Sequence, residues 1–368
     1  MIMATFTRRT FLKTSIIGGV AATCIKPYNT LAAIGKQEQF SSRVALTTGN
    51  NRADMAFRAL QPFSRELIQA IGNRRVVLKP NNVNINIQLA STHVDTLEGI
   101  LEFLKSIGKT GNVIIAESAA NGPTLDGFKN FGYFRLADKY NVKMVDLDQE
   151  PFDTVYAFDE KDFRPHAVRI SHIMLHPDSF IVSAARMKTH DRVFATLSLK
   201  NIVFGSPIKD MGFTFSDSRK AGTNSDKPIM HGSGFRGINY NLYSMSRQLH
   251  PHLAVIDGFE GMEGNGPNDG TPVDHRVCVA GTDWLAADRV GIELMGIDYS
   301  NIGYLNFCNQ TGMGTADLNK IQIIGESIAD HRKHYRLSDN FKEQLIWMNR
   351  VSQNVTTTQY SNYRLSYT

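Results

Sequence analysis

Residues 180–207 read FIVSAARMKTHDRVFATLSLKNIVFGSP. An apolar run over 180–185 stops at Arg186, and Lys188 and His190 follow within five positions. A second apolar stretch then ends at Lys200 and Asn201. A short, continuous β-forming run is a buried kind of element, so cations just past its end are expected at the mouth of a core, where fixed positive charge can hold an anion.

Other segments repeat the arrangement. Short apolar runs at 43–47, 76–78, 112–116, 142–145, 253–256, 277–280 and 321–324 read as strands. Between them, helices are expected at 52–71, 93–107, 134–140, 238–249 and 284–295, the last capped by Asp283. Residues 151–172 read as a pair of antiparallel strands. Such alternation predicts an α/β fold, a mostly parallel or mixed sheet with flanking helices. Its ligand site is expected at the carboxyl ends of the strands, where neighbouring loops diverge.

Those ends carry Lys79 with Asn81, Glu117, Asp146, Arg186 with Lys188 and His190, and Asp257 with Glu260 and Glu263. Lys79, Lys188 and Lys200 suit a carboxylate or phosphate, with Asn81, Asn201 and His231 as further binding groups. His190, Lys188 and Glu260 are the candidates for proton transfer. Asp257, Glu263 and Asn265 supply oxygens suited to a divalent metal.

Two stretches stand apart in composition. Residues 205–237 are rich in Gly, Ser, Asp, Lys and Asn, with Arg219, Lys220 and His231 among them, and read as a long functional loop. Residues 258–270 hold five glycines, which would let backbone approach a ligand closely. This glycine pattern is neither a dinucleotide fingerprint nor a P-loop.

The formal charge of +5 would suggest a nucleic-acid partner, but it is unevenly placed. Arg8, Arg9, Lys13 and Lys26 lie in the acid-free segment 1–33, and without them 36 basic residues face 35 acidic ones, or +1. No nucleic-acid partner is therefore expected. Thr7-Arg8-Arg9-Thr10-Phe11-Leu12-Lys13 followed by a mild apolar run over 15–25 is a twin-arginine signal pattern, and that run is too short for a stable membrane span. The expected partners are thus the twin-arginine translocation machinery and a small anionic molecule, and the expected location is periplasmic or otherwise extracytoplasmic. The expected organisation is a signal peptide over 1–33, an α/β domain over 34–330, and a C-terminal helix with a polar tail over 331–368. Removal of the leader, which also holds Cys24, leaves Cys278 and Cys308, which an oxidising compartment would allow to pair.

KPN at 79–81, MKTH at 187–190, SLKNIVFG at 198–205, His231, IDGFEGMEGNGP at 256–267 and AGTDWLAAD at 280–288 together resemble the family called domain of unknown function 362. The likeness runs over about 44–326. It implies a largely uncharacterised protein, often accompanied in the family by ferredoxin-like cluster segments and loosely described as an oxidoreductase. This chain has no CxxC, so no iron–sulfur cluster is expected. A fainter likeness in architecture, and in Lys and His at strand ends, is to lactate racemase-like proteins that use a nickel pincer cofactor. Two readings follow: an exported enzyme acting on a small anion, metal-dependent or redox-associated, or a non-catalytic ligand-binding or accessory protein using the same pocket.

Overall fold

The strand that contains Phe180 is the centre of a large sheet in the computed structural model, which describes residues 40–214 and 224–349. The twin-arginine pattern, Arg219, Lys220 and the tail from 350 lie outside the described residues.

Eleven strands form among the described residues: β1 Ser42–Thr48, β2 Arg75–Lys79, β3 Val113–Glu117, β4 Lys143–Asp146, β5 Phe152–Phe158, β6 Pro165–Ser171, β7 Ser179–His190, β8 Phe194–Thr196, β9 Leu253–Asn265, β10 Asp269–Gly281 and β11 Ile321–Gly325. Nine of them make one sheet in the order β11-β1-β10-β9-β7-β2-β3-β4, with β8 added to β7. Five of its eight pairings are parallel, so the fold is α/β with a mostly parallel sheet. The ribbon β5–β6 is antiparallel and separate, as the aromatic-rich 151–172 segment suggested.

Alternation along the strands feeds two cores. Phe180, Val182 and Ala184 pack with Met55, Leu97 and Leu104 from helices Arg52–Leu60 and Val94–Ser106. Ile181 and Met187 pack with Leu199, Ile238 and Leu285 from helices Ser198–Val203, Gly234–Ser246 and Trp284–Leu294. Helix starts follow the expected chemistry: Asn51 accepts from the Asp54 amide, and Asp283 accepts from the amides of Leu285 and Ala286.

Two expectations need correction. Arg186, Lys188 and His190 are not in a loop beyond β7 but inside it, and all twelve residues of the strand are buried. The cause is pairing: β9 continues alongside past a bulge that sets Arg186 opposite Asp257 and Lys188 opposite Met262, and β8 covers Lys188, Thr189 and His190 from the other edge. Likewise most of the glycine-rich run 258–270 is strand, and only its turn residues Pro267 and Asn268 face a cavity. It forms the arm of the β9–β10 hairpin, paired from Asn265 opposite Asp269 to Ala254 opposite Gly281 with a register shift between Asp274 and Val277. Close approach is needed there, but to protein: a Cβ on Gly266 would lie 2.1 Å from the Thr189 carbonyl oxygen. Cys278 and Cys308 are both free, and belong to the cores on opposite faces of the sheet.

Candidate functional site

Beyond the last residues of β2 and β3, backbone and side chains enclose a small chamber of about 50 Å³, lined by Asn81, Asn82, Glu117, Thr196, Lys200 and Lys227 among others. His190 and His231 stand between it and an outer cleft of about 520 Å³, walled by Asn121, Asp191, Arg192 and Asn268. A water needs on the order of 10–15 Å³ of such space, so the chamber accommodates one small charged group and the cleft a larger body.

The floor is a buried ion pair. Lys79 Nζ donates to Glu117 Oε1 at 2.7 Å, to the Pro80 carbonyl at 3.1 Å and to Asn201 Oδ1 at 3.4 Å. Glu117 also accepts from the amides of Asn82 and Ser118. Asn201 returns hydrogen bonds to the Lys79 carbonyl and Ser183 Oγ. Burial pulls the lysine pKa down and pushes the carboxyl up against their mutual attraction. Lys79 and Asn201 therefore hold β2, β3 and helix Ser198–Val203 together, and their polar atoms are already engaged.

Three other lysines surround this pair with little negative charge to offset them. Lys188, fully buried, donates to the Ala90 carbonyl at 2.6 Å; burial first, then Lys200 and Arg186, hold its pKa well below the usual value. Lys227 donates to the carbonyls of Gly205 and Pro207, and burial draws it down to about 7. Lys200 is 5% exposed and makes no hydrogen bond to any described residue; its Nζ lies 5.5 Å from the Phe204 ring centre. Burial draws it, too, down to about 7, with only Asp191 opposing.

The two imidazoles stack, with ring centres 6.1 Å apart. His190 Nδ1 accepts from the Arg192 amide at 3.0 Å, which leaves Nε2 as the protonated nitrogen of the neutral ring. His231 Nδ1 donates to the Lys227 carbonyl at 2.9 Å, which leaves Nε2 with a free lone pair. Burial, then the Lys200 charge, keeps both rings neutral: His190 falls well below its usual range and His231 to about 3. One ring thus presents a donor and the other an acceptor.

Three buried polar atoms of chamber-lining residues lack a partner among the described residues: Asn81 Oδ1, Thr196 Oγ1, and Asn82 Nδ2, which packs against Gly127. Buried polar groups are nearly always satisfied, so Asn81 Oδ1 and Thr196 Oγ1 mark a place where something polar binds.

The structure thus brings Asn81, His190, Lys200 and His231 to the wall of one cavity, with Lys79 and Asn201 beneath it on Glu117, while Lys188 is buried against the Ala90 carbonyl and does not line it. It does not bring the carboxylates expected to join them. Asp257 faces the other helix layer, pairing with Arg52 at 3.3 Å and accepting from Thr96 at 2.7 Å. Glu260 is half-exposed, 3.7 Å from Arg186. Glu263 accepts from the Arg336 amide, and Asn265 is bonded to Ser338 and Asp339. Six positions of extended strand put Asp257 and Glu263 on the order of 20 Å apart, so they do not fit a shared metal ion. Among the described residues no group of three or more His, Cys, Asp or Glu side chains is placed to hold one. Lys227 is the functional candidate that sequence reasoning missed. Its signal was weak, a single lysine before Pro228 in a polar stretch.

A larger recess of about 580 Å³ opens at the amino ends of β2 and β7, lined by Arg74, Arg75, His172 and His176. Its His172 is exposed and already paired with Asp153.

A profile of the family described as "Domain of unknown function (DUF362)" matches residues 76–293, more than half of the chain. A relative from Synechocystis, the "Thylakoid-associated protein sll1697", is 23% identical over 230 residues, covering 62% of this chain and 65% of that protein. The chain thus spans a little under two thirds of that relative's length. A crystal structure of a protein from Thermotoga maritima aligns with a TM-score of 0.37 at 12% identity, over 67% of this chain and 60% of that one. Among the described residues no helix is long and apolar enough to cross a membrane.

Proposed function

We propose that this chain, which belongs to the DUF362 family, is an enzyme that seats the anionic group of a small substrate in the lysine-lined chamber and moves protons with His190 and His231. The observation that carries this reading is Lys200: a buried amine, open to the chamber, with no hydrogen-bond partner and no carboxylate in contact among the described residues. Leaving a cation so placed costs stability, and an incoming anion offsets that cost. Thr196 Oγ1 is a further donor for the anion's oxygens. Asn81 Oδ1 is an acceptor for a hydroxyl or for water. The two neutral rings beside it present one N–H donor, at His190 Nε2, and one lone-pair acceptor, at His231 Nε2, between which a bound group's proton can be passed.

The compartment belongs to the same proposal. The twin-arginine pattern supports export of a folded protein, and the sequence alone supplies that support.

Isothermal titration calorimetry against inorganic phosphate, pyruvate, 2-oxoglutarate and their uncharged amides or esters tests the reading. Saturable binding of an anion, lost in Lys200→Met, is expected. Equal binding of charged and uncharged members would overturn it. Anion binding without turnover of any member would leave the accessory, non-catalytic reading in its place.

A further inference from the structure

We infer that Lys200 is a nucleophile that forms an imine with the carbonyl carbon of a small 2-oxo acid. The inference rests on the anion-binding reading above and narrows its substrate class. Of the neighbouring buried lysines, Lys79 is bound to Glu117 and Lys188 to the Ala90 carbonyl, and Lys227, which shares the chamber wall, is bound to two carbonyls. Lys200 alone faces the cavity with an amine that no described residue engages. Amines that attack carbonyls are typically desolvated and set near other cations, which favours the unprotonated form at neutral pH. Burial meets the first condition and draws the amine down to about 7, with Asp191 alone opposing it.

The rest of the pocket fits what imine formation requires. Nζ attacks the carbonyl carbon and the carbonyl π pair moves to oxygen. His231 Nε2, with its free lone pair, takes a proton from the new ammonium nitrogen and passes it to that oxygen, giving a carbinolamine. The nitrogen lone pair then expels hydroxide, which leaves as water with the remaining N–H proton, again carried by His231. The sum is amine plus carbonyl giving imine plus water, with no oxidant or reductant consumed. His190, whose Nε2–H points its proton outward from the ring, serves as the hydrogen-bond donor to the developing oxyanion. A 2-oxo acid is the smallest molecule that offers this amine a carbonyl and the orphaned donor Thr196 Oγ1 a carboxylate.

The full chain is incubated with pyruvate or 2-oxoglutarate, reduced with sodium borohydride, and read by intact mass and peptide mapping. One reduced adduct per chain, on Lys200, is expected. Excess inorganic phosphate should suppress it, and His231→Gln should slow it at least tenfold. Lys200→Arg, which keeps the charge, should still bind phosphate in calorimetry yet form no adduct. Calorimetric binding of the oxo acids without trapping would overturn the imine while sparing the anion reading. Absence of any anion binding would overturn both. Labelling spread over exposed lysines and unaltered by phosphate would likewise contradict the assignment, using wild-type protein alone.

Discussion

Lys79 Nζ lies 2.7 Å from Glu117 Oε1 with both side chains wholly shielded from solvent, and this contact joins the ends of β2 and β3 beneath the chamber. Removing one member leaves the other as an uncompensated buried charge. Lys79→Met or Glu117→Leu alone should each cost about 3–5 kcal/mol in urea unfolding, whereas the double substitution should cost distinctly less than the sum. Additive losses would show that the two do not act as a pair.

Lys200 should behave in the opposite way. Its amine is buried without a hydrogen-bond partner among the described residues, so Lys200→Met removes a desolvation penalty and supplies an apolar side chain beside Phe204. The variant is expected to be more stable than wild type, by about 1–3 kcal/mol, while losing anion binding. A clear fall in melting temperature would mean that the amine holds the fold together in a way the geometry does not show.

Gly205 gives a steric test of the same floor. A Cβ there would meet the Asn201 carbonyl oxygen at 2.2 Å and Lys79 Nζ at 2.4 Å. Gly205→Ala must push one of them aside, at a cost of about 1–3 kcal/mol. Unchanged stability and unchanged anion affinity would show that the floor is looser than described.

Stability should rise with pH on two limbs. Lys200 and Lys227 titrate near 7 when folded against an ordinary 10.5, so between those values the unfolded chain binds more protons and raising the pH favours the native state. Below about 7 both states are protonated and the penalty is present in full. The limiting slope is about 1.4 kcal/mol per pH unit for each lysine. His231, held at about 3 against an ordinary 6.5, gives an acid limb of the same sign: stability is lost as pH falls from 6.5 towards 3. Urea midpoints across pH 4–10 should show both limbs, flattened on the alkaline side by Lys200→Met and on the acid side by His231→Gln. Parallel curves for wild type and variants would refute the assignment of those groups.

The strands and their polar endings were legible because apolar β-forming runs that stop at a charge leave a local trace, as at Val76–Lys79 and Val113–Glu117. The site followed in part, since Lys79, Lys200, His190 and His231 do converge. What hid the rest was non-local. Nothing near Arg186 or Lys188 says that β8 and the long arm of β9 will cover them, so an in-strand position looked like a loop. The same arm separates Glu263 from Asp257 while their spacing in the sequence suggests neighbours. Lys227 and His231 share the short helix Lys227–His231, which brings both to the chamber from a stretch whose composition reads as loop.

The most direct test is a crystal structure of the protein soaked with 2-oxoglutarate. Density for the ligand within hydrogen-bond reach of Lys200 Nζ and Thr196 Oγ1, with its body in the cleft beside His190 and His231, is the predicted result. A chamber holding only water while the ligand occupies another part of the molecule would contradict the account.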